Sequence, residues 1–170
     1  MVLMPLFVLL LVLGRIFQGS PLFLQTRIGL HKRPFTLLKF RTMVEGAPSL
    51  ATHLCDDSYI TRYGAFLRKT KLDELPQLLN VLKGDMSIVG PRPCLASQLE
   101  LISVRDDHQV FKARPGITGL GQINNVDMSD IERLVNLDSI YVDNSSFYLY
   151  LRIIVHTVLL VFYRDTQINM

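Results

Sequence analysis

The stretch from Lys71 to Pro93, KLDELPQLLNVLKGDMSIVGPRP, places two adjacent carboxylates before a helix-forming run and a proline-rich turn after it. Pro76 suits the first turn of a helix, where its missing N–H would have no intrahelical partner. We therefore expect a helix to begin near Leu72 or Asp73. The N-terminus of a helix presents unpaired N–H groups and partial positive charge, which favour a carboxylate and a phosphate group at the same place. The stretch predicts a phosphate-handling site.

The two carboxylates, Asp73 and Glu74, are candidate catalytic and metal-binding residues. Adjacent carboxylates would repel a phosphate group unless a divalent cation lay between them, and Mg²⁺ readily binds one or two carboxylates together with phosphate oxygens. Arg68, Lys69 and Lys71 surround the pair with positive charge. Ordinary helix capping is the alternative explanation, because an Asp followed by acidic residues is common at helix starts.

Three ordered blocks of the chain resemble the bacterial sugar transferases, the monotopic phosphoglycosyl transferases that begin lipid-linked glycan assembly. They are Gln18–Gly29, continued at Phe35–Met43; Asp73–Pro93; and Arg114–Asn124. One motif alone is only a hypothesis. Three motifs in order over almost the entire chain make the resemblance specific.

The resemblance implies a two-step exchange on Asp73, with Glu74 supporting the metal and proton transfer. Asp73 would attack the sugar-bearing phosphorus of a UDP-sugar, release UMP and carry a covalent phosphosugar. Polyprenyl (undecaprenyl) phosphate would then take this group, which initiates surface polysaccharide or glycoconjugate synthesis. Mg²⁺ and cationic side chains must balance the charge of such a reaction.

Seven further side chains are predicted to bind substrate. They are Lys39, Arg41, Arg68, Arg92, Arg114, Gln122 and Asp138. Lys39 and Arg41 alternate with apolar residues, so they would share one face of a strand. Arg68 matches a family position associated with phosphate, and two prolines restrict the backbone around Arg92. Asp138 matches a family carboxylate near the active site. The alternatives are that Lys39 and Arg41 lie on a solvated strand face and that Asp138 is a solvated residue on a helix.

The block that begins at Arg114 is rich in glycine and is expected to form a stiff loop on the nucleotide side of the pocket, where small residues let a ligand approach the backbone. Where the family often continues with Gly-Arg, this chain has Asn125-Val126. A cation usually linked to nucleotide-sugar binding is therefore replaced. The identity of the donor sugar, and even of its nucleotide, stays open, and the replacement is consistent with a subgroup that uses another donor or with an enzyme of weakened activity.

The chain has 170 residues, of which 49% are hydrophobic, and its mean hydropathy is +0.27. This is one domain's worth of sequence, divided into a membrane-inserted segment (1–17), a catalytic core (18–146) and an interfacial or packing helix (147–163). The apolar run Val2 to Leu13 is about half of the roughly 20 residues that span a bilayer. The family's re-entrant helix is kinked at a Ser-Pro, and Met4-Pro5 falls at that place, so we expect a truncated start. A cleaved signal peptide is disfavoured because no basic region precedes the run.

The second apolar run, Phe147 to Phe162, contains Arg152 and His156 and has aromatic residues at both ends. This pattern favours a helix that lies along the membrane interface. A buried core helix is the alternative.

Between these ends, residues 21–29 and 34–43 predict a β-hairpin. Residues 59–69 and 129–141 predict helices, the second with Ile131, Leu134, Val135, Leu137 and Ile140 facing inward. Residues 45–57 predict a loop. The expected fold is therefore α+β: a membrane-associated, monotopic domain with short helices around a β-hairpin, an apolar N-terminal half-hairpin helix and a C-terminal interfacial helix.

A net charge of +3 and a pI near 9.0 favour anionic partners. We expect these to be a UDP-sugar, polyprenyl phosphate and the membrane. No nucleic acid is expected, because no helix-turn-helix, zinc-finger spacing or aromatic RNA-binding motif is present. Cys55 and Cys94 lack metal or redox spacing and are expected to be free thiols in a reducing cytosol. The expected location is the inner (cytoplasmic) membrane, with the active site on the cytoplasmic face. A homodimer is left open.

One rival interpretation is a non-catalytic membrane adaptor, or an anionic-lipid-binding scaffold, derived from this family. The short N-terminus and the Asn125-Val126 replacement favour it, whereas the intact Asp73–Glu74 dyad argues against it.

Overall fold

Helices and short strands alternate along the chain in the computed structural model, which describes residues 3–47 and 56–164. Within these residues there are seven α-helices and four β-strands. In chain order they are α1 (Leu3–Gln18), β1 (Leu22–Ile28), β2 (Pro34–Phe40), α2 (Arg62–Thr70), α3 (Gln77–Lys83), β3 (Ser87–Val89), α4 (Leu99–Asp107), β4 (Gly116–Thr118), α5 (Leu120–Ile123), α6 (Ile131–Asp143) and α7 (Phe147–Arg164). The mixed helix-and-strand architecture that we expected is confirmed.

The predicted hairpin is present, since β1 and β2 pair in a two-stranded sheet. A 3-10 turn, Leu30–Lys32, connects them, and His31 and Lys32 have φ angles of 52° and 59° there. These left-handed conformations reverse the chain within a few residues. The hairpin's first strand buries Gln25 and Arg27 on one side and exposes Leu24 and Thr26 on the other, the alternation that a strand requires.

The chain divides into two compact units. The first contains the described residues up to Gln25 and from Thr36 to Asn80. Its core is built by Leu10, Phe40 and Leu67, so α1, β2 and α2 share one apolar centre. The Tyr63 hydroxyl on α2 donates a hydrogen bond of 2.9 Å to the Leu10 carbonyl on α1.

The second unit contains residues 26–35 and the residues from Val81 onward. Its buried core consists of Cys94, Leu101, Val110, Phe111, Val126, Leu134 and Val135. β3 and β4 pair in parallel, with Ser87 opposite Gly116 and Val89 opposite Thr118. The Tyr141 hydroxyl on α6 donates to the Val89 carbonyl at 3.0 Å, which ties this helix to the sheet.

The two predicted internal helices exist with shifted bounds, as α2 and α6. Each begins after a side-chain cap: Thr61 accepts from the Gly64 amide, and Asp130 accepts from the Arg133 amide. The prediction that Ile140 faces inward was wrong, because this side chain is 43% exposed. Leu134, Val135 and Asp138 occupy the buried face of α6, and at about 100° per residue Ile140 falls on the opposite side.

The two terminal helices combine a packed side with an apolar exposed side. Leu10 on α1 and Ile153 on α7 are buried, which places one face of each helix in its unit. The exposed apolar side chains are Met4, Val8, Leu9, Val12, Ile16 and Phe17 on α1, and Phe147, Tyr148, Leu151, Val155, Val158 and Leu159 on α7. No helix in the described part of the chain is both long and apolar enough to cross a membrane. A fully buried α7 is excluded by its exposed side chains.

Two predictions concern residues that the structure describes only in part. The predicted loop over 45–57 includes residues 48–55, which lie outside the described ranges, as does Cys55. Cys94 is a free thiol, as expected. It is also buried, and burial raises its pKa. The domain boundaries after residues 17 and 146 stay predictions.

Candidate active site

The two adjacent carboxylates lie on a short turn between two helices. Asp73 and Glu74 belong to a single 3-10 turn, Leu72–Glu74. The prediction that an α-helix begins at Leu72 or Asp73 was therefore wrong. Lys71 has a left-handed conformation (φ 58°, ψ 13°) that ends α2, and its amide donates to the Arg68 and Leu67 carbonyls. Pro76 directly precedes α3, so the proline does mark a helix start, but the helix begins at Gln77, four or five residues later than we expected.

The turn is anchored by the leucines on either side of the dyad. Leu72 and Leu75 pack against the core of the first unit, and all four residues from Leu72 to Leu75 are half-buried. The Oδ1 atom of Asp73 is itself buried. The Leu75 amide closes the turn by donating to the Leu72 carbonyl at 3.2 Å. The leucines thus anchor a turn on which the two carboxylate residues keep part of their surface exposed.

Two adjacent carboxylates are a donor set of the kind that Mg²⁺ can share with a phosphate-bearing substrate. Among the described residues there is no group of three or more His, Cys, Asp or Glu side chains that could hold a metal alone. Asp73 and Glu74 would therefore supply two carboxylate groups, and Mg²⁺ commonly takes one or two carboxylates and completes its shell with phosphate oxygens and water.

Three of the predicted cations lie in the same unit as the dyad. The Lys39 ammonium and the Arg41 guanidinium both lie over the Phe23 ring, at 5.2 Å and 5.7 Å from its centroid. The two cations therefore lie beside the same ring, although β2 ends at Phe40 and Arg41 comes one residue after it. Arg41 is oriented by the bond from its Nε to the Ser20 carbonyl, at 3.1 Å. The third cation, Arg68, donates from Nε to the Thr42 hydroxyl at 3.0 Å.

The other predicted binding residues lie in the second unit, where two proline-containing motifs are in backbone contact. The Gly90 amide donates to the Thr118 carbonyl at 2.8 Å, and the Gly116 amide donates to the Pro91 carbonyl at 2.9 Å. A Cβ added at Gly90 would overlap the Arg114 carbonyl oxygen. The structure thus brings together the turn that carries Arg92 and the segment that begins at Arg114.

The segment after Arg114 is more regular than the predicted glycine-rich loop, because it forms β4 and then α5. Gln122 lies on α5 beside Gly119, where a Cβ would come within 3.0 Å of the Gln122 side-chain oxygen. Val126, at the position of the family's arginine, is 8% exposed and belongs to the core of the second unit. In this chain the position therefore contributes packing.

Asp138 is buried and paired, so the solvated alternative was wrong. Its Oδ2 accepts from Nη2 and Nε of Arg105, at 2.6 Å and 3.1 Å. Arg105 also donates from Nη1 to the Arg92 carbonyl at 2.8 Å. Burial raises the pKa of Asp138, and the Arg105 charge opposes that shift. Asp138 reaches the Arg92 turn through Arg105.

Two arginines of this region, Arg105 and Arg27, were not among the site residues predicted from the sequence. Arg105 lies beside Asp106 and Asp107 on a helix with no motif, so nothing in the sequence marked it. Arg27 is 8% exposed and donates to the Pro93 carbonyl at 3.1 Å. Burial and the neighbouring Arg92 charge lower the pKa of Arg27 to about 10. Its place in the first family block and its alternation with Gln25 were the signal that could have identified it.

A comparison with protein families decides the classification. The family model described as bacterial sugar transferase matches residues 1–164. The chain belongs to the bacterial sugar transferase family. The resemblance inferred from three motifs is thereby confirmed.

This sugar transferase has several curated relatives. It is 49% identical over 141 residues to the uncharacterized sugar transferase EpsL of Bacillus subtilis, covering 82% of this chain and 69% of that protein. It is 40% identical over 149 residues to the UDP-glucose:undecaprenyl-phosphate glucose-1-phosphate transferase of Caulobacter vibrioides, covering 82% and 56%. It is 37% identical over 180 residues to the UDP-galactose-lipid carrier transferase of Erwinia amylovora, covering 96% and 38%.

These names support the expectation that the sugar transferase is an enzyme that transfers a sugar phosphate. The chain spans 56% of the length of the Caulobacter protein and 38% of the length of the Erwinia protein. The roles of the individual site residues stay predictions.

Proposed function

We propose that this sugar transferase moves a phosphosugar from a UDP-sugar to polyprenyl phosphate through a covalent intermediate on Asp73. The observation that carries the proposal is the Asp73–Glu74 turn, which leucines anchor on both sides and which shares a unit with Arg68. Two relatives are named as a UDP-galactose-lipid carrier transferase and a UDP-glucose:undecaprenyl-phosphate glucose-1-phosphate transferase. These names support a UDP-sugar donor and a polyprenyl phosphate acceptor.

In the first step, an Asp73 carboxylate oxygen forms a bond to the sugar-bearing phosphorus, and the bond from that phosphorus to the bridging oxygen breaks. UMP leaves with the bridging oxygen. In the second step, a polyprenyl phosphate oxygen attacks the same phosphorus and the bond to Asp73 breaks. The products are polyprenyl diphosphosugar and the free carboxylate, so neither water nor an oxidant is consumed.

The charge of this reaction requires positive partners. Asp73 and Glu74 would hold a Mg²⁺ ion, which when bound neutralises phosphate charge and lets a carboxylate approach. Arg68 offers a planar fork of donors that suits two phosphate oxygens. Lys39 and Arg41 add positive charge on the hairpin of the same unit.

The proposed location is the inner membrane, with the active site at its cytoplasmic face, because the acceptor is a lipid whose phosphate stays at the bilayer surface. The exposed apolar sides of α1 and α7 support contact with lipid. The adaptor alternative is not favoured, since the carboxylate pair and its neighbouring cations are intact.

Intact-protein mass spectrometry tests the proposal. Detergent-solubilised protein is mixed with Mg²⁺ and each member of a panel of UDP-sugars that includes UDP-glucose and UDP-galactose, beside Asp73→Asn and the control Asp143→Asn, which changes an exposed carboxylate on α6. We expect a phosphosugar mass gain and UMP release from the wild type and the control, no gain with Asp73→Asn, and loss of the gain in EDTA. Folded wild-type protein that forms no adduct and releases no UMP, or Asp73→Asn that still forms the adduct, would refute the mechanism.

A further inference from the structure

The chain that leaves β2 is held against the start of α2 by backbone hydrogen bonds. The Thr61 amide donates to the Thr42 carbonyl at 3.1 Å, and the Val44 amide donates to the Tyr59 carbonyl at 2.9 Å. Thr61 is also the N-cap of α2. The position of Thr42 relative to α2 is therefore set by the backbone on both sides of the contact.

Gly64 and Arg68 lie one turn apart on the face of α2 that meets Thr42. A Cβ added at Gly64 would overlap the Thr42 carbonyl, so the absent side chain is what lets the strand end approach the helix. One turn later, the Arg68 Nε donates to the Thr42 hydroxyl at 3.0 Å. Thr42 is only 3% exposed, so its hydroxyl is shielded from competing water.

A hydrogen bond at Nε orients a guanidinium without using its terminal nitrogens. The group is planar, and its terminal Nη hydrogens can grip two oxygens of one phosphate group. In the part of the chain that the structure describes, no carboxylate is paired with Arg68. Arg68 is half-buried, and only Lys71 and Leu72 separate the end of α2 from the dyad.

We infer that Thr42 is a positioning residue that acts through Arg68. Its buried hydroxyl holds the guanidinium plane so that the two terminal nitrogens face the phosphate group that Asp73 attacks. This inference rests on the proposed function, which makes Arg68 a phosphate ligand. Thr42 lies within the first family block, and the inference gives it a role although it contacts no substrate itself.

Isosteric and conservative variants separate positioning from packing. Thr42→Val keeps the side-chain shape and removes the acceptor, whereas Thr42→Ser keeps the hydroxyl. We expect Thr42→Val to lower kcat/KM for adduct formation with UDP-glucose or UDP-galactose by about 10-fold, the range for losing a hydrogen bond to a charged group. Thr42→Ser should stay within about 2-fold of the wild type. Equal rates for Thr42→Val and the wild type would overturn the inference.

A double-mutant cycle adds a readout that a purely structural role would not move. If Thr42 acts through Arg68, Thr42→Val should cause no further loss in an Arg68→Ala background. Losses that multiply in the double variant would overturn the inference, as would an Arg68→Ala variant as active as the wild type. In both cases a wild-type adduct that Asp73→Asn abolishes would leave the proposed function intact. A folded wild type without any adduct would refute the proposed function and this inference together.

Discussion

Arg105 and Asp138 form an ion pair whose side chains are 2% and 3% exposed. Removing two charges from water costs several kcal/mol per ion, and their attraction repays this only when the geometry is good and the remaining donors are used. Here Arg105 donates hydrogen bonds from Nε and Nη2 to Asp138 and from Nη1 to the Arg92 carbonyl. The pair therefore fixes the backbone at Arg92.

Breaking one half of this pair should be costly. Asp138→Asn leaves the Arg105 charge buried without its counter-ion, so we expect the free energy of unfolding to fall by about 3 kcal/mol. Replacing both residues, as Arg105→Met with Asp138→Leu, should restore most of that loss, because no charge is then buried. Urea denaturation followed by circular dichroism measures both values.

The control for this experiment is Asp143→Asn, an exposed position at the end of the same helix, which should change stability by less than about 0.5 kcal/mol. A fully stable Asp138→Asn protein would contradict the structural role assigned to the pair. Reduced adduct formation in a stable double variant would support the link from Arg105 to the Arg92 turn.

At the scale of elements, the junction between the hairpin and α2 depends on the space beside Gly64. Alanine is normally preferred to glycine within a helix by about 1 kcal/mol. At this position, however, a Cβ would overlap backbone atoms of Thr42, which cannot rotate away as a flexible side chain could. The contact therefore opposes the ordinary propensity.

Gly64→Ala should lower the free energy of unfolding by at least about 2 kcal/mol, because the strand end and α2 must separate to admit the methyl group. The matched control is Ala65→Gly at the neighbouring exposed position, where only the propensity cost of about 1 kcal/mol applies. Denaturation midpoints of the two variants provide the comparison. A Gly64→Ala protein more stable than the wild type would show that propensity prevails and that the junction is loose.

The turn that carries Asp73 and Glu74 shows why the bounds of a helix are hard to predict from the local sequence. Acidic residues followed by Leu-Pro fit a helix start, and the sequence contains such a start at Pro76. The left-handed Lys71 instead ends one helix and leaves Asp73 and Glu74 on a turn before the next. Lysine has no intrinsic preference for the left-handed conformation, so the local sequence did not predict that α2 would end at Lys71.

At the scale of the whole molecule, the exposed apolar side of α7 has a regular spacing. Phe147, Leu151 and Val155 are four residues apart and are 78%, 44% and 56% exposed. Residues at this spacing lie along one face of a helix. A contiguous apolar face of this kind is typical of a surface that meets lipid or another protein.

We expect the triple variant Phe147→Ser, Leu151→Ser and Val155→Ser to bind phosphatidylethanolamine–phosphatidylglycerol vesicles at least about 10-fold more weakly in a flotation assay, because each lost side chain removes apolar burial. The control, Leu151→Ile with Val155→Ile, keeps the apolar area and should bind like the wild type. Unchanged binding of the triple variant would mean that α7 does not make the membrane contact.

The sequence alone was enough to predict the hairpin, the helices α2 and α6, and the family. These features depend on local periodicity or on ordered motifs, and both can be recognised in the amino-acid sequence without the structure. The tertiary structure decided the parallel pairing of β3 with β4, the burial of Asp138 against Arg105, and the bond from Arg68 to Thr42. Each of these joins residues far apart in sequence, so each depends on how the folded chain packs, which no local pattern records.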